Sequence, residues 1–292
     1  MFRFSSKILL LVFLCFIKQV AAEKIVLSFD DAPIGNGPFF SIDERHEKML
    51  ACLKEKQVKA IFFVIPKQSE QFEKDYKSFY FFKDHYLANH SYSHQHLSEM
   101  KAEDYLQDVL KADQILSRFP NYKKCFRYPF LDYGQRKNTG GSTAKAKAVA
   151  SRLHTLGFSH GYVSLDVFDW FLQSLVEKAV KAEKTISFEN LKDFYLKLIR
   201  SSIEQAPKQK EAQMLLLHAN DINALFIADI IEEFKAHEWQ WIDPMEAYQE
   251  PHLLNNFLLY KKQFTKKILN LKKFSNKIEE ITNAFEDAGI AS

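Results

Sequence analysis

The sequence predicts an α/β fold with a largely parallel sheet. Two observations carry that prediction. From residue 23 onward, short apolar runs of four or five residues alternate with longer segments of helical periodicity. Proline or glycine closes several of these elements, at Pro66, Pro129, Gly157 and Pro244. The composition suits one large globular domain with an appendage: 292 residues, 47% hydrophobic and 26% charged.

In chain order, Ile25-Val26-Leu27-Ser28-Phe29 reads as a strand, and residues 43–57 as a helix whose Met49, Leu50 and Leu53 share a face. Ala60 to Val64 is a second strand. Residues 101–118 form a helix with Tyr105, Leu106, Val109, Leu110 and Leu116 on its apolar side. Cys125-Phe126-Arg127 ends a strand before Pro129. Residues 144–156 are helical, Gly157 stops them, and His160 to Leu165 extends. A helix over 189–204, a strand at Met214 to Leu217, a helix over 222–236 and a strand at Trp239 to Ile242 complete the alternation. Two segments depart from it. Asn138 to Ser142 is a loop signal. Residues 250–282 form an amphipathic pattern in which Leu254, Phe257, Phe264, Ile268 and Ile278 alternate with paired lysines. That pattern suits a terminal helix docked on the domain, a self-association helix, or a surface for anionic polymer or lipid headgroups.

The first 22 residues read as a signal peptide. Arg3 and Lys7 supply the charged start, Ile8 to Ile17 the apolar run, and Val20-Ala21-Ala22 the small residues before cleavage. The run is about half of the roughly 20 residues that a spanning helix needs. We therefore expect an exported protein, periplasmic or secreted, with no transmembrane segment after cleavage. Cleavage removes three basic residues and no acidic ones, so the 40 basic residues fall to 37, against 37 acidic. A mature chain of zero net charge gives no support for nucleic-acid binding. Cys52 and Cys125 remain, and we expect buried thiols rather than a disulfide scaffold. The aromatic content of 14% suits core packing, and sugar-binding surfaces are also aromatic.

Five segments carry the chemistry. In Ser28-Phe29-Asp30-Asp31-Ala32-Pro33, two adjacent carboxylates end an apolar strand; one can bind a metal while its neighbour takes a proton. In His90-Ser91-Tyr92-Ser93-His94, histidines four apart on a helical turn face one way and can share an ion. With Asp31 they make a three-ligand set with a position left open. Arg127-Tyr128-Pro129-Phe130 places a cation at a strand end that can pair with a carboxylate. Asp166-Val167-Phe168-Asp169-Trp170 sets a carboxylate beside a large aromatic. Leu216-Leu217-His218 ends an apolar strand on a histidine. Each segment also has an ordinary structural reading.

Together, and in this order, the five segments resemble the five motifs of the polysaccharide deacetylases (NodB-homology, carbohydrate esterase family four): T-F-D-D-G-P, H-[S/T]-x-x-H, R-x-P-[Y/F], D-x-x-D-W and L-x-H. The similarity spans residues 25 to about 245. It implies a distorted (β/α) barrel of seven to eight strands over residues 23–249, followed by a C-terminal helical extension over 250–292. It also implies roles. Asp30 resembles the general base, Arg127 the residue that holds that base charged, and Asp31, His90 and His94 the ligands of a divalent metal. Zinc suits that set, and cobalt or another divalent ion could serve. Asp169 resembles the partner of the acid, His218. The Phe130 backbone N–H resembles an oxyanion donor, and Trp170 and Leu216 the walls of an acetyl pocket.

The implied reaction is hydrolysis of N-acetyl groups on a hexosamine polymer, such as peptidoglycan, a chitin-like oligomer or an exported polysaccharide. O-acetyl esterase, small-amide hydrolase and carbohydrate-binding pseudoenzyme are the alternatives. Ala32 departs from the motif glycine, Ser28 from threonine, and Phe130 from the commoner tyrosine. The loop after Gly134 and residues 171–190 read as insertions that shape the groove.

Overall fold

The computed structural model describes residues 22–72, 77–135, 140–206, 211–248 and 271–292. The proposed signal peptide and most of the amphipathic 250–282 segment lie outside the described residues. Strand β1 (Lys24–Ala32) organises the rest, because three other strands pair with it in parallel: β2 (Ala60–Val64), β7 (Gln213–His218) and β8 (Gln240–Trp241). Residues 25–30 of β1 are all buried, as a strand covered on both faces requires.

The sheet order is β5-β4-β3-β2-β1-β7-β6, with β3 at Tyr86–Asn89, β4 at Tyr122–Phe126, β5 at Ser159–His160 and β6 at Leu165–Asp166; β8 joins the start of β1. Chain order therefore runs round an incompletely closed parallel barrel. Its seam lies between β5 and β6, which no bridge joins among the described residues. The predicted (β/α) barrel is thus observed. The expected extension over residues 160–165 is instead two short strands separated by residues 161–164.

Alternation along the strands divides two environments. Ile25, Leu27 and Phe29 face the helical layer, where they join a core with α1 (Ile42–Glu55), α6 (Phe188–Glu204) and α7 (Asp221–Ala236). Val26 and its partner Met214 face the barrel interior with Ile61, Phe63, Ala88 and Cys125. The same period puts Ser28 and Asp30 on the interior face, and the β1–β7 register sets Asp30 opposite His218. The barrel thus delivers a carboxylate and a histidine to one level at the strands' C-terminal ends.

The remaining helices are α2 (Pro66–Phe72), α3 (Ala102–Leu116), α4 (Thr143–Thr155), α5 (Asp169–Lys181), α8 (Pro244–Tyr248) and a last helix α9 (Leu271–Asp287). Most of helix α5 falls in the segment 171–190, expected to be an insertion shaping the groove. Its Leu172, Leu175, Val176 and Ala179 are buried at helical spacing, so the segment is part of the helical layer. Ile281, Phe285 and Ile290 are buried against the domain, and Ile186 bridges Ala291 in antiparallel fashion. The end of the C-terminal extension is therefore docked. Cys52 and Cys125 are free thiols, half-buried and buried respectively. No described helix is long and apolar enough to cross a membrane.

Candidate metal and hydrolytic site

The site begins with a break in β1. The β1–β2 register shifts between Asp30 and Ala32, and Asp31 sits at φ 66°. The left-handed region is disfavoured for most side chains but is visited by aspartate several-fold more than the average. The bulge turns Asp31 toward the pocket that Asp30 already faces, where regular alternation would have sent the two carboxylates to opposite sides. Ala32, in place of the motif glycine, is not among the residues with positive φ.

His90 follows β3 directly. The expected helical turn from His90 to His94 is instead an irregular loop, with Ser91 at φ 61° and His94 at φ 57°. Side chains hold it: Asn89 Oδ1 accepts from Ser91 N at 2.8 Å, and Asp108 Oδ2 accepts from Tyr92 N and Ser93 N at 3.0 and 3.1 Å. The loop achieves the convergence that a helix would have given by periodicity.

Ligand atoms of Asp31, His90 and His94 all lie within 4.8 Å of one another. Asp31 Oδ1 is buried without a well-formed hydrogen bond to the chain, and faces His94 Nε2 at 3.1 Å and His90 Nε2 at 3.4 Å. Two donors on one tetrahedral zinc at its usual bond lengths would be about 3.3 Å apart. His90 Nδ1 is 2.9 Å from Arg127 O, which can only accept; Nδ1 therefore carries the proton and Nε2 keeps its lone pair. The set fits a divalent ion. Burial alone would raise the Asp31 carboxyl. The imidazoles of His90 and His94 and the charge of His218 outweigh it and hold Asp31 well below the usual carboxylate range.

Two paired groups flank this cluster. On one side, Arg127 Nη1 binds Asp30 Oδ1 at 2.5 Å, leaving Oδ2 3.5 Å from His90 Nε2. Arg127 is fully buried. Its Nε donates to Gly161 O, its Nη2 to Ser28 Oγ and Tyr248 Oη, and its guanidinium lies over the Phe63 ring. Burial alone would lower Arg127, but the Asp30 charge reverses that and raises it further. On the other side, Asp169 Oδ1 binds His218 Nδ1 at 3.0 Å while Oδ2 accepts from His218 N at 2.7 Å. His218 Nε2 then faces the cluster, 4.0 Å from Asp31 Oδ2. Burial would lower His218, but the carboxylates of Asp169, Asp31 and Asp30 prevail and push it up to about 10.

The remaining expected residues are distributed around these pairs. Phe130 is 56% exposed, at φ 55°, with its ring stacked on His96 at 3.9 Å and tilted against His94 at 4.4 Å. Trp170, 37% exposed, is the second residue of α5, and Leu216 is buried on β7. Asp166, the first carboxylate of its motif, does not reach His218 as Asp169 does. Its Oδ1 accepts from Phe168 N, and burial pushes it up to about 6.

Sequence reasoning missed several supports. Asn220 and Asn223 both donate to Asp169 Oδ2, at 3.1 and 2.6 Å, and Tyr195 donates to Asn223. Asp221 pairs with the buried Arg45 at 2.7 Å and accepts from Phe39 N, tying down the loop that follows β1. Tyr248 completes the Arg127 pocket. Polar residues within five positions of His218 were the available signal for Asn220, Asp221 and Asn223; none marks Tyr248.

Residues 18–149 match the polysaccharide deacetylase family model. A peptidoglycan-N-acetylglucosamine deacetylase from Bacillus cereus is 31% identical over 112 residues, 38% of this chain and 37% of that relative; the match thus spans little more than a third of the relative's length. Among solved structures, the catalytic domain of a peptidoglycan N-acetylglucosamine deacetylase from Eubacterium rectale superposes with TM-score 0.54 at 16% identity, covering 77% of this chain and 89% of that one. A mutant of a pseudoenzyme of carbohydrate esterase family four, with restored enzymatic activity, superposes with TM-score 0.53 at 18% identity, covering 80% and 68%. Identities this low establish the fold alone. The architecture is that of a parallel, incompletely closed (β/α) barrel with polar residues gathered at the strands' C-terminal ends. The match of residues 18–149 makes that part of the chain similar to the polysaccharide deacetylases, and the solved structures share its fold.

Proposed function

We propose that this chain is an exported, divalent-metal-dependent hydrolase that removes N-acetyl groups from a hexosamine-containing polysaccharide and releases acetate. Residues 31, 90 and 94 would hold the ion. The observation that carries the proposal is the flanking of that cluster by two oppositely suited groups: a carboxylate paired to Arg127 and a histidine paired to Asp169. A relative known as a peptidoglycan deacetylase supports peptidoglycan as the first polymer to test.

A divalent ion in this site supplies a Lewis acid for the acetyl carbonyl oxygen and lowers the pKa of water. Asp30, with Oδ1 occupied by Arg127, uses Oδ2 to take a proton from the attacking water. Water oxygen bonds to the carbonyl carbon, the carbon–nitrogen bond breaks, and His218 Nε2 delivers a proton to the departing nitrogen. The Asp169 bond at Nδ1 keeps Nε2 as the donor. The Phe130 N–H has no acceptor in the chain among the described residues, so it is available to the oxyanion. Leu216 and Trp170 would line the acetyl methyl's side of the pocket.

Acetate release from peptidoglycan and from N-acetylglucosamine oligomers, with zinc and with chelator, tests this reading. Zinc-dependent release from either supports it. Release only from acetyl esters would replace it with an esterase.

A further inference from the structure

The bend that aims Asp31 is held from outside the motif residues. Three successive carbonyls of the bend are bound by one short stretch of chain at the end of β2. Ile65 N donates to Ala32 O at 3.0 Å. The Gln68 side chain reaches both flanking carbonyls, with its carboxamide nitrogen 2.9 Å from Asp31 O and 2.9 Å from Pro33 O. Two carbonyls can be satisfied only by the NH2, which fixes that orientation of the amide.

The same stretch also reaches the histidine loop. Lys67 N donates to Tyr92 O at 3.2 Å, Tyr92 Oη donates to Glu70 at 2.6 Å, and His90 N donates to Val64 O at 3.2 Å. Residues 64–70 therefore touch the backbone on both sides of the ligand set. Asp31 is the ligand in most need of such support: left-handed backbone at a residue other than glycine costs on the order of 1–3 kcal/mol and persists only where its surroundings impose it.

We propose that Gln68 is a positioning residue for metal binding. Its two hydrogen bonds hold the Asp30–Pro33 bend in the conformation that presents Asp31 Oδ1 to His90 and His94. Gln68 touches neither the ligand atoms nor the reacting groups. It acts through the ligand's main chain, as outer partners do at other metal sites, where their loss costs 10–100-fold in affinity. The inference rests on the reading of Asp31, His90 and His94 as a metal site.

The test is zinc affinity of the purified protein, by competition with a chromophoric chelator. Wild type is compared with Gln68→Met, which keeps length and removes the donor, with Gln68→Glu, which sets an acceptor against two carbonyls, and with Asp31→Asn. We expect both Gln68 variants to bind zinc about tenfold more weakly, while their zinc-free thermal midpoints stay close to wild type and saturating zinc restores turnover. Unchanged affinity in both Gln68 variants, with Asp31→Asn abolishing binding, would overturn the role of Gln68 alone. Zinc affinity that is absent from wild type, or untouched by Asp31→Asn, would overturn the metal-site reading beneath it. A weakened affinity that merely tracks a lowered midpoint, and that saturating zinc does not rescue, would make Gln68 a general structural residue and also contradict the proposal.

Discussion

His218 is bound twice by Asp169: one carboxylate oxygen meets its ring Nδ1 at 3.0 Å and the other its own backbone N–H at 2.7 Å. Ring and main chain are therefore fixed by a single buried side chain, which Asn220 and Asn223 hold in turn. The proton on His218 Nε2 follows from that arrangement. So does its durability, since the surrounding carboxylates push the imidazole up to about 10 against the effect of burial.

An acid is needed most where the leaving group is poorest. An amide nitrogen must be protonated to leave, whereas an alkoxide departs more readily. His218→Ala should therefore cut N-acetyl hydrolysis by about 10²–10⁴ and acetyl-ester hydrolysis by less. Acetate release from matched amide and ester substrates checks this, and equal losses on both would count against His218 as the acid.

The pH dependence has a definite sign. A histidine raised in the fold keeps its proton below its folded value and loses it as pH rises through that value. Asp169→Asn removes the largest favourable charge, so the alkaline limb of kcat should move to lower pH. A pH–rate profile of the zinc-loaded variant against wild type measures the shift.

Asp30 and Asp31 should separate cleanly, although they are adjacent. Asp30→Asn should lose turnover by more than about 10³ yet bind zinc, because Arg127 and not the cluster holds its carboxylate. Asp31→Asn and His94→Ala should lose the ion. Zinc titration beside activity distinguishes the two classes of variant.

Tyr248→Phe should act on the Arg127 pocket. The phenol accepts from Arg127 Nη2 at 2.8 Å and donates to Tyr162 O at 3.1 Å. Losing both leaves buried partners wanting and should cost about 1–3 kcal/mol of stability, with turnover reduced severalfold and zinc affinity unchanged. Urea unfolding and kcat together report it.

Acid should destabilise the fold through histidines away from the chemistry. Burial pushes His46 and His85 down to about 4 and His160 to about 3. These groups are neutral in the fold, so their contribution is fully present above the unfolded value and is lost as pH falls below about 6.5. Near pH 5.5 each should cost about 1 kcal/mol. Urea midpoints at pH 7.5 and 5.5 should differ accordingly, and His46→Gln should flatten the dependence.

The legible and illegible parts of this site differ in kind. Asp30, Asp31, Arg127, Asp169 and His218 were readable because each ends a strand or opens a helix, where an apolar run stops on a charged residue. The periodicities that placed β1, β2, β7 and α1 are local, so they survive in a single sequence. The geometry of the His90–His94 loop was not readable, because spacing of four implies a helix unless Asn89 and Asp108 are known to bind its backbone. Most of helix α5 lies in a segment that no motif covers, although Leu172, Leu175, Val176 and Ala179 carry its period. Tyr248 and Gln68 were out of reach, because their partners lie 121 and about 35 residues away and arrive only through the closing of the barrel.

The most direct test is acetate release from N-acetylglucosamine oligomers by the zinc-loaded protein and by its Asp30→Asn variant. The account predicts release by wild type, none by the variant, and equal zinc content in both. Equal release from the two proteins, or none from wild type on N-acetylglucosamine oligomers and peptidoglycan alike with zinc bound, would contradict it.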